Sequence, residues 1–283
     1  MEKYKNRFII YSENSESENT ADFDSKEDKF DENNFVETDS NASTVREFRE
    51  TNDDETSEGF RKFFTKENDE LNVQDVPMNI EKFSLLEERI ENADKKALDA
   101  YNKNKDDIKL GSFEWEKTAF YNSNNERIYF NLEEDLENSL GKGSTYFHEV
   151  GHFIDHKSGT EEGEWLSSNR AFKGAIQYDV NDYVQRTMQE NKCSKEEAHA
   201  IISYELRDDR LANISDIFGS VTECKCQGYW GHDVNYWKTE GKMEKEAFAN
   251  MFESSMGIKY KAEDMKKYFP NAYYTFKELL EDI

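Results

Sequence analysis

The chain has 283 residues, of which 35% are charged, and its formal net charge is −25, so it can form one large domain or two small ones. The negative charge repels phosphate groups and no basic stripe interrupts it, which argues against direct binding of nucleic acid. No apolar run approaches the roughly 18 residues of a membrane span, and the run at residues 7–11 is too short for a secretory signal.

The cysteines are Cys193, Cys224 and Cys226, an odd and sparse set. A C-x-C pair is a poor zinc site on its own, and a low number of unpaired thiols is typical of a reducing compartment. We therefore expect a cytoplasmic protein, while export by a route that needs no signal peptide stays open.

Residues 1–76 read as an acidic N-terminal arm. From about residue 12 to residue 75 the chain is rich in Glu, Asp, Asn, Ser and Thr and has few apolar residues. Such a segment buries too little surface to offset the entropy of ordering it, so we expect it to be largely disordered. A solubilising linker is the simplest interpretation, and docking of a basic protein partner is the alternative.

A folded domain is expected over residues 77–283. Residues 80–108 repeat apolar side chains at steps of three and four, which predicts one amphipathic helix. Residues 112–121 and 127–132 are aromatic and alternating, and the Asn-Ser-Asn-Asn between them predicts a hairpin. A polar loop over residues 133–143 follows.

The central motif is YFHEVGHFIDH, at residues 146–156. On a helix, His148 and His152 are four residues apart and point the same way, so they can share one zinc ion. Glu149 points to the flank of that metal, where a carboxylate can take a proton from zinc-bound water. Two buried structural histidines are the alternative, but the combined pattern favours zinc.

The ends of this helix suggest several supporting roles. Ser144 or Thr145 can cap its N-terminus. Asp155, three residues after His152, can orient a zinc-bound imidazole by a hydrogen bond. His156 drifts off the metal-facing side of the helix, so we expect it to be exposed at the helix end.

The second half of the chain is predicted to be helical. One helix begins at a capping box formed by Ser194 and Glu197 and ends at about residue 207. The other predicted helices cover residues 169–191, 212–223 and 243–256, and two short helices within 262–283 are separated by Pro270. Asp216, in one of these helices, is a candidate acceptor for a zinc-bound imidazole, or simply a surface acid.

An aromatic segment at residues 228–237, GYWGHDVNYW, precedes the helix at residues 243–256. Loops of this kind often line pockets, so Tyr229 and Trp230 are candidate substrate-binding residues. Tyr236 or His232 can donate a hydrogen bond to the oxyanion of a tetrahedral intermediate.

The helix MEKEAFANMFESSM places Glu246 and Asn250 one turn apart. This arrangement resembles that of gluzincin metallopeptidases, in which a Glu is the third zinc ligand and a small polar residue braces a zinc-bound His. The resemblance implies that Glu246 is a ligand and that Asn250 supports an imidazole. A first-turn acid favoured by the helix dipole is the alternative role for Glu246.

Together, FHEVGHFIDH and EKEAFANMFE are similar to the protease domain of the anthrax lethal factor family, over roughly residues 110–283. The segments at residues 214–220 and 228–238 also resemble metallopeptidase-like domains of phages and mobile elements. The lethal factor family has a catalytic Tyr where this chain has Thr239, and Tyr236 is the nearest substitute. In such enzymes the strand just before the metal helix is an edge on which the substrate lies, which implies substrate contacts at Tyr129 and Phe130.

The sequence therefore predicts an α+β, zincin-like domain that binds one Zn²⁺ and hydrolyses peptide bonds of a protein or peptide substrate. A peptidase specific for one partner protein is a narrower version of the same hypothesis. The alternative is a non-catalytic zincin-fold protein that keeps zinc for stability and binds a basic partner through its acidic arm.

Overall fold

The computed structural model describes residues 84–111, 119–159 and 164–283, which belong to one compact unit. Over these ranges the protein is α+β, mostly helical with a small three-stranded sheet, which confirms the predicted class at this level. The predicted acidic arm and most of the first predicted strand lie outside the described residues.

The sheet consists of β1 (Lys109–Gly111), β2 (Phe120–Asn122) and β3 (Arg127–Tyr129). Its order is β1-β3-β2, with β1 parallel and β2 antiparallel to β3. The predicted hairpin is thus confirmed. The prediction that residues 127–132 form a free edge is wrong, because β1 pairs with the second side of β3 and makes it the central strand. The edge strands of the described sheet are β1 and β2, and β2 is the edge strand that belongs to the hairpin.

The helices, in chain order, are α1 (Glu87–Glu91), α2 (Lys95–Asn104), α3 (Leu132–Leu136), α4 (Ser144–Lys157), α5 (Arg170–Asn191), α6 (Lys195–Glu205), α7 (Ala212–Thr222), α8 (Val234–Trp237), α9 (Lys242–Ser255), α10 (Lys259–Tyr268) and α11 (Pro270–Leu279). The helices predicted in the second half are confirmed, including the capping box that starts α6. None of the described helices is a candidate for crossing a bilayer, because even the longest, α5, has charged residues along its length.

The helix predicted over residues 80–108 is in fact two helices, α1 and α2. Asp94 separates them: its side chain accepts a hydrogen bond from the Lys96 N–H, and its own N–H donates to the carbonyl of Ser255 at 2.8 Å. A cap and a tertiary hydrogen bond therefore outweigh the continuous apolar periodicity.

The N-terminus of α4 is capped from outside the helix. Residues 133–143, predicted as a loop, include most of α3, and its Asp135 carboxylate accepts hydrogen bonds from the backbone N–H groups of Thr145 and Tyr146 at 2.8 and 2.9 Å. The prediction that Ser144 or Thr145 provides the cap is wrong, because neither side chain bonds to the first turn of α4. A carboxylate at this end also suits the helix dipole.

Helices α4 and α9 pack against each other at the centre of the core. A Cβ atom on Gly151 would lie only 2.8 Å from the Cα atom of Ala249, so the two backbones are almost in contact at this point. Phe147 and Phe248, both fully buried, are part of the same hydrophobic core. This close crossing brings Glu246, near the N-terminus of α9, to the histidines of α4.

Candidate metal centre

His148 and His152 lie one turn apart on α4, with ring centroids 4.8 Å apart. Glu246 reaches between them from α9, and its Oε2 atom lies 3.2 Å from His148 Nε2 and 3.3 Å from His152 Nε2. The three donor atoms all lie within 4.8 Å of one another. The structure thus brings together the three residues predicted to be metal ligands.

These distances suit a small divalent ion. A tetrahedral zinc with bonds of about 2.0–2.1 Å holds neighbouring ligand atoms about 3.3–3.4 Å apart, close to the observed nitrogen–oxygen separations. Two imidazoles and one carboxylate are also a donor set that catalytic zinc sites use, with the fourth position left for water or substrate. The three side chains could therefore hold a metal ion.

The charges at this centre depend on one another. Burial alone raises the pKa of the Glu246 carboxyl, but the imidazoles of His152 and His148 outweigh burial and lower that pKa well below its ordinary value. Burial lowers the pKa of His148, whereas the hydrogen bond that its Nε2–H donates to Glu246 and the charge of Glu149 raise it, to about 9 overall. The buried carboxylate of Glu246 is therefore an anion that needs a positive charge beside it.

Glu149, the predicted general base, is buried at the side of the ligand pair. Burial raises the pKa of its carboxyl, and the nearby His148 and His152 oppose that shift. The backbone N–H of Tyr121, in β2, donates a hydrogen bond to its carboxylate. A carboxyl whose pKa is moved toward neutrality is suited to taking up and releasing a proton.

Tyr236 and His232 face the same centre from the other side. Their rings stack with centroids 3.9 Å apart. The Tyr236 hydroxyl donates a hydrogen bond to Glu246 Oε1 and accepts one from Lys242 Nζ at 3.1 Å. Burial, and then the charge of Glu246, raise the pKa of Tyr236, so its hydroxyl stays protonated and can serve as a donor. Both oxyanion candidates therefore lie at the centre.

Asp216 and Asn250 brace His232 and not a ligand histidine. The Asp216 carboxylate accepts hydrogen bonds from the backbone N–H and from Nδ1 of His232, at 2.9 and 3.0 Å. The Asn250 amide donates to the other Asp216 oxygen at 3.1 Å. Asn250 and Asp216 therefore do not bond to His148 or His152 as predicted. They form a series of hydrogen bonds that leads from Asn250 in α9 through Asp216 in α7 to His232.

The hydrogen bond from His232 to Asp216 also affects the charge of His232. Burial lowers the pKa of its imidazole, but the adjacent Asp216 carboxylate more than compensates and raises it. Asp216, His232 and Glu246 form a second group with donor atoms within 4.8 Å of one another. Because the Asp216–His232 hydrogen bond already occupies both partners, the group formed by His148, His152 and Glu246 is the better candidate for a metal.

Asp155 and His156 do not have their predicted positions. Asp155 is fully buried, and its Oδ1 atom accepts a hydrogen bond from the Ser167 N–H at 2.6 Å. Its Oδ2 atom has no hydrogen-bond partner among the described residues, so Asp155 does not orient an imidazole of the centre. His156, expected to be exposed, is partly buried because its Nδ1 atom is hydrogen-bonded to the Tyr121 hydroxyl at 2.8 Å.

The four predicted substrate-binding residues lie away from the ligands. Tyr129 is buried within the central strand, and Phe130 packs against Tyr146. Tyr229 and Trp230 are exposed; Tyr229 lies beside Arg207, and the Trp230 indole donates to Asp209. Within the described residues, no hydrogen bond, ion pair or ring contact joins these four side chains to His148, His152 or Glu246.

Gly231 explains why the aromatic loop contributes His232 instead. Its φ of +136° belongs to a region that side chains rarely adopt, and a Cβ atom there would lie 2.4 Å from the Gln227 amide. The chain reverses at this glycine, which leaves the preceding Trp230 on the outside and turns His232 toward Asp216.

Sequence reasoning missed four residues around the centre: Tyr121, Trp165, Lys242 and Lys245. The two lysines carried a readable signal, because they precede Glu246 by four residues and one residue on the same helix. Tyr121 and Trp165 could not be found in this way, since their proximity arises from tertiary packing of β2 and of the segment after α4.

Similarity to known proteins adds no assignment to this geometry. No protein-family model, no curated protein and no solved structure matches the chain.

Proposed function

We propose that this protein is a zinc-dependent endopeptidase with a zincin-like fold. The observation that carries the proposal is the approach of one Glu246 oxygen to within 3.3 Å of both imidazole Nε2 atoms, with the buried Glu149 carboxylate beside them. A purely structural cluster would need no second carboxylate held next to such a group. A peptidase needs this carboxylate as its proton carrier.

When bound, zinc polarises a peptide carbonyl and lowers the pKa of water to about 7. Glu149 takes a proton from the attacking water and later gives it to the leaving amine. The Tyr121 N–H holds the Glu149 carboxylate in place during both transfers. Burial raises the pKa of Glu149, which favours the uptake of a proton from water compared with an exposed carboxylate.

Tyr236 and His232 supply hydrogen bonds to the oxyanion. Tyr236 keeps its proton because burial raises its pKa, and His232 is kept positively charged over a wider pH range by Asp216. In this structure the Tyr236 hydroxyl donates to Glu246, so it must turn toward the substrate to act. Lys242, which donates to the same hydroxyl, can hold the ring through that movement.

An extended substrate would lie along β2. This strand pairs with β3 on one side, and on the other side its Tyr121 N–H points to Glu149. Among the described strands none pairs with that side of β2, which lies next to the Glu149 carboxylate. A peptide strand added there would bring its scissile bond close to His148, His152 and Glu246. β2 takes over the role that the sequence assigned to residues 127–132.

The test compares Glu149→Gln with the wild-type chain on native proteins and on a proteome-derived peptide mixture. New N-termini are read by mass spectrometry, with and without chelator, and zinc content is measured in parallel. We expect chelator-sensitive cleavage by the wild type and a loss of at least about a thousandfold in Glu149→Gln, with zinc retained. The exposed Glu190→Gln on α5 is the matched control and should cleave normally.

Retained cleavage in Glu149→Gln would refute the proton-carrier role. If the wild type binds zinc but cuts neither proteins nor peptides, the non-catalytic alternative is correct. Cleavage confined to a single protein would instead identify a peptidase dedicated to one partner.

A further inference from the structure

Trp165 forms one wall of the region beside His152. Its ring centroid lies 6.4 Å from that of His152 and 4.9 Å from that of His156. Tyr121 of β2 lies on the same side, 6.3 Å from Trp165 and hydrogen-bonded to His156. The wall therefore begins at Tyr121 in β2, the proposed substrate strand, and continues with Trp165 beside His152. Trp165 is only partly buried, and its indole N–H has no acceptor among the described residues.

Lys245 completes this wall from α9. Its ammonium lies 3.9 Å from the centre of the Trp165 ring, a cation–π contact that fixes its position without using its N–H donors. Within the described part of the chain no carboxylate forms an ion pair with it. Its neighbours differ in this respect: Lys173 pairs with Glu244 at 2.8 Å, and Lys242 donates to Tyr236.

The environment of Lys245 leaves its charge incompletely compensated. The Lys245 side chain is partly buried, and the Asp155 carboxyl near it accepts its hydrogen bond from the Ser167 N–H and not from Lys245. A partly desolvated cation gains free energy when an anion binds next to it. A single ammonium group matches a single negative charge, such as that of a carboxylate side chain.

We propose that Lys245 and Trp165 form a substrate subsite for a carboxylate side chain, so that the peptidase prefers Asp or Glu close to the scissile bond on the His152 side. This inference rests on the proposed function, because the subsite is defined by the substrate strand and the metal ligands. The substrate class is therefore an acidic segment of a protein, although the chain itself is strongly acidic. Lys245 would attract an acidic side chain of the substrate at this position, although the net negative charge of the protein repels acidic substrates.

The test uses peptides that end in a hydroxamate, which anchors them to the metal and fixes their register. Amidated peptides carry Glu, Gln or Lys at the first or second position from the hydroxamate, and a parallel set has a free carboxylate at its far end. Affinities are measured by calorimetry on the full-length, zinc-loaded Glu149→Gln chain, which binds without cleaving. We expect the Glu peptide to bind about tenfold more tightly than its Gln isostere at one of the positions.

Two substitutions at Lys245 sharpen the result. Lys245→Gln should abolish the preference for Glu, and Lys245→Glu should reverse it in favour of Lys. Lys266→Glu changes the net charge equally at an exposed site on α10 and should leave the preference intact. Zinc content and thermal melting, measured for each variant, show whether the centre is preserved.

Hydroxamate binding without a charge preference, a preference that survives in Lys245→Glu, or a preference only for the free-acid peptides would overturn the subsite and leave the proposed function standing. Failure of every hydroxamate to bind would overturn the proposed function, and with it this inference.

Discussion

Two of the three buried glutamates of helix α9, Glu246 and Glu253, differ in how their negative charge is compensated. Glu246 and Glu253 are seven residues apart, almost two full turns, so their side chains leave the helix on nearly the same side. Glu246 is 4% exposed and Glu253 is 1% exposed. Both carry a charge that is costly to bury, yet the chain compensates that charge in different ways.

Glu253 is neutralised by permanent cations of the chain itself. Its Oε1 atom accepts hydrogen bonds from Arg89 at 2.8 Å and from Lys261 at 2.9 Å, and its Oε2 atom accepts one from Asn213 at 2.7 Å. Arg89 and Lys261 are themselves buried. This cluster joins α1, α9 and α10 and is electrostatically complete.

Glu246 is surrounded by groups that are neutral or only conditionally charged. Two imidazoles and a tyrosine hydroxyl contact its oxygens, and Lys242 reaches the tyrosine but not the carboxylate. The two sites therefore differ in the source of the compensating positive charge. The chain itself supplies it to the structural carboxylate Glu253, whereas Glu246, the proposed metal ligand, depends on a proton or a metal ion for it.

The largest effect expected from this contrast is on stability. Glu253→Gln leaves Arg89 and Lys261 buried without a counter-charge, so we expect the free energy of unfolding to fall by about 3–5 kcal/mol. Urea denaturation in the presence of chelator measures this change without a contribution from metal. A loss below about 1 kcal/mol would mean that the cluster relaxes or takes up water, and it would contradict the structural role given to Glu253.

The same cluster has a defined pH dependence. Arg89 and Lys261 hold the pKa of Glu253 at about 2 against the effect of burial, which is below the ordinary value of 4.5. A depressed carboxyl pKa stabilises the fold above about pH 4.5, and this stability is lost as the pH falls toward 2. The stability difference between wild type and Glu253→Gln should therefore shrink by on the order of 3 kcal/mol between pH 5 and pH 2. A difference that stays constant would contradict the assignment.

A smaller effect is expected at the crossing that places Glu246 over the histidines. Gly151→Ala puts a methyl group 2.8 Å from the Cα atom of Ala249, so α4 and α9 must separate, at a cost of about 1–3 kcal/mol and with weaker zinc binding. Thermal melting and zinc titration measure both.

Gly174→Ala on α5 is the matched control, because no atom of the described residues lies within 4 Å of the added methyl group. It should raise stability by about 0.5–1 kcal/mol. Equal behaviour of the two variants would show that the crossing tolerates expansion.

The parts of the site that sequence could predict are those that depend on local geometry. His148 and His152 share a side of α4 because they are four residues apart, and the same holds for the position of Glu149 beside them. The start of α6 at Ser194 and the break at Pro270 follow from equally local capping and backbone rules.

The remaining parts depend on partners that are distant in the chain. β3 becomes the central strand only because β1 pairs with it in parallel, and a short parallel pairing leaves no local pattern. Arg89 reads as one more charge on an amphipathic helix, whereas its burial is decided by Glu253, 164 residues later. The turn at Gly231 likewise decided which aromatic residues of that loop face outward.

Zinc titration of three chains at neutral pH tests the metal centre most directly: the wild type, Glu246→Gln and Glu253→Gln. We expect one zinc per wild-type chain, a loss of affinity of more than about 100-fold in Glu246→Gln, and an affinity close to that of the wild type in Glu253→Gln at temperatures where it remains folded. Equal zinc affinity of the wild type and Glu246→Gln, or no zinc binding by the wild type, would contradict the assignment of His148, His152 and Glu246 as one metal centre.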